Sequence, residues 1–281
     1  MKIACIGNMN NMLFSLTRYL RDRGLDAELL LLNNEYDHFL PEKDSYDLSY
    51  KEYVIQLNWG DVNSWRKRKN LKINKDVEAY DFIIASGPVP AFLNYVDISV
   101  DIFFPHGSDL FELPLLEEKM RFDQKLRNRN LVEFYRNQKA GIQRSYCINQ
   151  EISDDRYRDP VLIMSVLDKV HYFGCPMVYA PIYGENISDN YTKSKYYTFF
   201  QKLRNDNDLL LVSQARQQWK NAGAVRQRSK GTDKLITGFA NYCKSSSASA
   251  LLVLFEYGVD VQTSKDLISE LEIEDNVLWL P

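Results

Sequence analysis

The residues best placed to do chemistry lie where strands give way to helices. His106-Gly107-Ser108-Asp109 follows the apolar run Ile102-Phe103-Phe104, at the C-terminal end of a strand, where α/β sheets bind their ligands. An imidazole there either faces a ligand or is a satisfied structural residue, and the residue types leave both readings open. Gly7 and Asn8-Met9-Asn10-Asn11 make a small polar loop between a strand and a helix. Free N–H groups and the dipole of a helix N-terminus favour phosphate at such a loop. Asp206-Asn207-Asp208 formally matches an Asp-x-Asp metal motif, but that site needs a preceding strand to aim its carboxylates at Mg²⁺ or Mn²⁺. Here the strand follows, so a turn with helix-capping acids is expected. The sequence has no nucleophile elbow, P-loop, Gly-x-Gly-x-x-Gly fingerprint or His/Cys cluster, which argues against a nicotinamide-dependent oxidoreductase.

The elements that must position these loops alternate. Ile3–Ile6 reads as a buried strand, and Leu13, Leu16 and Leu20 mark one face of a helix that Gly24 closes. Ala27–Leu32 reads as the next strand, giving a parallel βαβ unit. Further strands are expected at 81–87, 102–107, 145–149 and 177–180, with a long charged helical stretch over 113–142 and a helix over 161–170. The tyrosine-rich stretch near 182–207 reads as a connector with some helix. A second series then begins: strands at 209–212, 250–255 and 277–280, and helices at 234–242 and 265–271. The fold class is therefore α/β.

Bulk properties exclude several classes. The 281 residues are 45% hydrophobic and 26% charged, with a formal net charge of -3, as for a globular chain with no overall pull toward nucleic acid. Basic runs at Arg66-Lys67-Arg68-Lys69 and between Arg121 and Arg129 are either solvated faces or points of contact with a membrane surface. Cys5, Cys147, Cys175 and Cys243 are widely separated, against a zinc site or disulfide framework and consistent with a reducing compartment. No run reaches the ~20 apolar residues of a membrane span, so a cytoplasmic, at most membrane-peripheral, protein is expected.

Lys230-Gly231-Thr232-Asp233-Lys234-Leu235-Ile236-Thr237-Gly238-Phe239-Ala240 resembles the Lys-Gly-x-Asp-x-Leu-Ile-x-Ala-Phe-Ala stretch of glycosyltransferase family 4. Leu254-Phe255-Glu256-Tyr257-Gly258, Ser264–Ile268 and Asn276–Pro281 are similar to the segments that follow it, and His106-Gly107-Ser108-Asp109 resembles a turn found in some members. The resemblance implies a GT-B-like fold of two Rossmann-type domains with parallel sheets, the second incomplete, and an active site in the cleft between them. It implies an acceptor domain over 1–185, a connector over 186–207 and a partial donor domain over 208–281.

It further implies retaining transfer of a sugar, without metal or other cofactor, from a nucleotide-sugar donor to a carbohydrate or lipid-linked acceptor. Arg216 and Lys230 would grip the donor diphosphate, with Arg226 or Arg228 as alternatives to Arg216 because the loop is long. A departing diphosphate gathers negative charge, and fixed cations beside it stabilise that charge. His106 would line the sugar site, with Gly7, Asn8, Asn10, Gly107, Ser108 and Asp109 in the donor and acceptor loops. The family's paired glutamates, one of which holds the ribose, would follow Pro281. An inactive fragment, or a binding subunit completed by a partner chain, is thus the competing expectation, and nucleotide affinity is expected to be weak.

Overall fold

The computed structural model describes residues 1–33, 35–44, 49–183, 191–220 and 229–281. The chain divides into two compact units, Met1–Asn190 and Tyr191–Pro281.

The first unit is built on a seven-stranded parallel sheet in the order β3-β2-β1-β4-β5-β6-β7. The strands are β1 (Lys2–Ile6), β2 (Asp26–Leu31), β3 (Val54–Gln56), β4 (Phe82–Ser86), β5 (Ile102–Phe104), β6 (Cys147–Asn149) and β7 (Val170–His171). Its helices are α1 (Met12–Asp22), α2 (Val62–Trp65), α3 (Ile73–Val77), α4 (Val89–Tyr95), α5 (Ser108–Phe111), α6 (Leu116–Lys119), α7 (Phe122–Arg127), α8 (Arg129–Arg144) and α9 (Asp155–Ile163). Strand order reverses between β1 and β4, and it is at the C-terminal edge of such a switch point that open α/β sheets take their ligands.

Local chemistry explains these elements. Ala4, Cys5 and Ile6 are fully buried, because helices cover both faces of a parallel sheet. Past α1, Gly24 adopts φ +77°. Its N–H donates to the Arg21 carbonyl, and Leu25 N–H donates to Leu20, the paired closure of a helix that ends on a left-handed glycine. Behind the sheet, Trp59, Trp65, Phe92 and Phe134 are buried, with ring centroids 5.4–6.4 Å apart. Each such pair adds about 0.5–1.5 kcal/mol beyond area burial. Helix α8 crosses α4 so closely that a Cβ on Gly141 would meet the Pro90 carbonyl carbon at 2.6 Å.

Three segments depart from the sequence reading. The helix expected over 161–170 lies earlier, at Asp155–Ile163, where the Asp154 side chain caps it by accepting from Arg156 N–H. Pro160 sits inside it, at the cost of one backbone hydrogen bond. The strand expected at 177–180 is instead a loop over α1: Ala180 N–H donates to the Tyr19 hydroxyl at 2.9 Å and Tyr179 to Asp22 at 2.8 Å. The last strand of the sheet is Val170–His171, registered on Ile148 and Asn149. The stretch over 113–142 is broken into α6, α7 and α8 rather than continuous.

The second unit holds a parallel sheet of β8 (Leu209–Ser213), β9 (Ala250–Phe255) and β10 (Val277–Leu280), in the order β10-β9-β8. Its helices are α10 (Tyr197–Asp206), α11 (Thr232–Ser245) and α12 (Val261–Glu270). Ile236, Phe239 and Ala240 of α11 and Ile268 of α12 pack on Leu252 and Leu254. Asp206-Asn207-Asp208 is the turn between α10 and β8: the Asp208 carboxylate accepts from Ser249 N–H at 2.9 Å. The turn is as expected, but Asp208 ties it to Ser249 before β9 rather than capping a helix.

Candidate functional site

In the first unit, Gly7 and Asn8 stand at the point where the sheet order reverses. Gly7 has φ +87°, and a Cβ there would come 2.6 Å from the Ser86 hydroxyl, so the loops after β1 and β4 approach at the one residue type that allows it. Gly7, Asn8 and Met9 then line a small cavity of about 90 Å³ with Glu35, Tyr36, Ser86 and Gly87. The Asn8 side chain is buried and satisfied: its Nδ2 donates to Asn11 Oδ1 at 2.8 Å and to the Phe39 carbonyl, and its Oδ1 accepts from Phe14 N–H at 2.9 Å. Asn8 therefore shapes the loop, its side chain being used up within it. Asn10, at φ 55°, is exposed beside it and does not line the cavity.

Glu35, which lines the same cavity, is one of the residues that sequence reasoning missed. Its carboxylate accepts from Asn8 N–H at 2.8 Å, and burial pushes its pKa to about 7 against backbone hydrogen bonds from Asn8 and Leu32. At neutral pH such a carboxyl both gives and takes protons, and it is suited to hydroxyl groups. No motif marks it, because the contact spans 27 residues.

The second cluster of the first unit is centred on Asp109, which is 4% exposed. Its carboxylate accepts from His106 N–H at 2.9 Å, Gly107 N–H at 2.8 Å and Gly87 N–H at 3.1 Å. Gly107, at φ +138°, gives the loop its sharp turn. Buried Gln138 of α8 donates to the carbonyls of Gly87 and Asp109. The loops after β4 and β5 are thereby fastened to each other. Burial raises the Asp109 pKa to about 6, the amides opposing it. Burial likewise lowers His106 to about 4, leaving a neutral imidazole. The His106 Nε2 is buried without a hydrogen-bond partner among the described residues. A buried orphan of this kind costs about 1–3 kcal/mol and calls for a partner. Ser108 is exposed at the start of α5.

In the second unit, the loop after β8 carries Arg216 and Lys230. Its middle, 221–228, with Arg226 and Arg228, lies outside the described residues. Both of its ends are held. The Gln217 N–H donates to Tyr257 at 2.8 Å, and the Gln217 carbonyl accepts from Asp260 N–H at 3.0 Å. Asp260, fully buried, accepts from Trp219 N–H at 2.6 Å and Lys220 N–H at 2.9 Å. Lys230 N–H donates to the Gln218 carbonyl at 2.7 Å. This bond brings the two ends of the loop together at the C-terminal edge of the sheet. Arg216 and Lys230 are exposed, and among the described residues neither forms an ion pair. Gly231, at φ +68°, is the N-cap of α11 and brings no side chain to it. The helix dipole there favours an anion, while Asp233 in the first turn opposes one. A hollow of about 410 Å³ lies within the same unit, lined by Phe199, Phe200, Val212, Phe255 and Gln214, and Gln214 precedes Arg216 by two residues.

No family model matches the sequence, and no curated protein matches it. Among solved structures the chain is similar to UDP-N-acetylglucosamine 2-epimerase, with TM-score 0.52 and 8% identity over 100% of this chain and 68% of that one. It is also similar to the lipopolysaccharide outer core galactosyltransferase WaaB in its apo form, with TM-score 0.46 and 13% identity over 99% and 67% of the two chains. A third is TcCGT1 in complex with UDP, with TM-score 0.44 and 9% identity over 100% and 72%. At these identities the likeness concerns the fold: an α/β chain of two Rossmann-like parallel sheets, as in GT-B proteins.

Proposed function

We propose that the chain takes part in glycosyl transfer from a nucleotide-sugar donor to a carbohydrate or lipid-linked acceptor. The observation that supports this most is the closure of the loop after β8 by Lys230 N–H on Gln218, which holds Arg216 and Lys230 at the edge where parallel sheets take their ligands. In this reading the two cations receive the diphosphate as it leaves, and the open N-terminus of α11 adds to the same field. Transfer is retaining and needs no metal, as the family resemblance implies. His106 presents its unpartnered Nε2 to the sugar, while the loop of Gly7, Asn8 and Asn10 and the turn of Gly107, Ser108 and Asp109 shape the donor and acceptor sides. Glu35 meets hydroxyl groups. The fold likeness to a UDP-sugar epimerase and the charge of the β8 loop both favour a nucleoside diphosphate as the common element.

The test is a panel of nucleotide sugars incubated with the full chain, reading release of free UDP or GDP. Slow donor hydrolysis that disappears in Lys230→Ala is expected. No nucleotide release and no nucleotide binding across the panel would contradict the proposal.

A further inference from the structure

We infer that the outer face of α7, with the start of α8 and the loop at residues 66–69, is a docking surface for an anionic lipid bilayer. Phe122 and Leu126 stand four residues apart, on one side of α7. They are 77% and 48% exposed. With Val132 and Arg136 they line a groove of about 450 Å³. Between 119 and 129 the sequence places Lys119, Arg121, Lys125, Arg127 and Arg129 against the single acid Asp123, in a chain whose net charge is -3.

The fold adds a second basic run to this one. Arg68 pairs with Glu133 of α8 and reaches Asn130 at 3.5 Å, so the segment 66–69 is fastened beside the groove. Arg66, Lys67 and Lys69 remain exposed there. The acids nearby are already paired: Asp123 with Arg121 at 3.3 Å, Glu117 with Arg136 at 2.6 Å and with Lys125 at 3.6 Å. Among the described residues Arg66, Lys67, Lys69, Lys119 and Arg129 form no ion pair. What is left uncompensated is positive charge around an exposed apolar pair. That combination suits a bilayer, whose phosphates meet the cations while Phe122 and Leu126 enter the boundary of the acyl chains. A nucleic acid would use the cations but leave Leu126 without a role. No helix among the described residues is long and apolar enough to cross a membrane, so the contact is made from one side.

The test is flotation of the full chain with phosphatidylcholine vesicles and with mixed phosphatidylcholine–phosphatidylglycerol vesicles. Binding to the mixed vesicles alone is expected, and it should weaken as salt is added. Phe122→Ser with Leu126→Ser should lower binding roughly tenfold, at unchanged melting temperature. Neutralising Arg66 and Lys69 should lower it about fivefold per charge. No binding to the mixed vesicles, or equal binding by the serine variant, would overturn the inference. So would capture of single-stranded RNA by the same cations in place of vesicles. None of these substitutions touches Arg216 or Lys230, so a failure here leaves the nucleotide response intact and is distinct from a failure of the proposed function.

Discussion

Gly258 lies against Gln217: a Cβ on it would stand 2.7 Å from the Gln217 nitrogen and 2.9 Å from Arg216 Cγ. Its φ of +121° adds a backbone conformation that other residues adopt at a cost. The start of the β8 loop therefore rests on the absence of a side chain after β9. Gly258→Ala is expected to destabilise the second unit by about 2–4 kcal/mol and to displace Arg216. Urea unfolding followed by tryptophan fluorescence checks this, and an unchanged midpoint would mean that the loop yields freely.

Asp109 is the fastening of the first unit's loops. Asp109→Ala strands the amides of Gly87, His106 and Gly107 and should cost about 3 kcal/mol. Asp109→Asn keeps one acceptor oxygen and should cost less. Equal losses in the two variants would show that packing, not the amide bonds, matters at this position.

Stability should depend on pH in a way that separates three buried groups. Glu35 and Asp109 have raised pKa values, about 7 and about 6. The stability each contributes is full below its unfolded value of 4.5 or 3.8 and is lost as pH rises through the folded value. His106 is lowered from 6.5 to about 4. Its contribution is full above 6.5 and is lost as pH falls through about 4. The melting temperature of Glu35→Gln relative to the parent should therefore rise between about pH 4.5 and 7, and that of His106→Phe should rise in the opposite direction, as pH falls from about 6.5 toward 4. A difference that stays flat with pH would place the group concerned in water.

The legibility of this chain follows the length of its apolar runs. β1, β2, β4 and β9 are continuous buried stretches and can be read directly. β3 was not legible because Val54-Ile55-Gln56 is an edge strand with Ile55 largely exposed, so it carries no buried signature. β7 is two residues held by register on β6, a long-range fact. The start of α9 was not legible because the helix runs through Pro160, and a proline more often opens a helix than sits within one. Around the candidate site, the strand and the helix that flank the loop of Arg216 and Lys230 were legible from the apolar pattern. Glu35, Gln138 and Asp260 were not, because each acts through hydrogen bonds to residues far along the chain.

If Arg216 and Lys230 neutralise the diphosphate unaided, a metal is dispensable for nucleotide binding. Any stabilisation by UDP or GDP should survive excess EDTA and should not grow with added Mg²⁺ or Mn²⁺. A response that appears only with the metal would move the charge compensation away from these two residues.

The most direct measurement is the melting temperature of the full chain titrated with UDP and with GDP. At a tenfold excess over Kd, binding to the folded state adds about 1.4 kcal/mol, a rise of about 3 °C. The account predicts that rise for at least one of the two nucleotides, its loss in Lys230→Ala, and its reduction in Arg216→Ala. An equal rise in the parent and in both variants would contradict it, as would the absence of any rise at millimolar nucleotide.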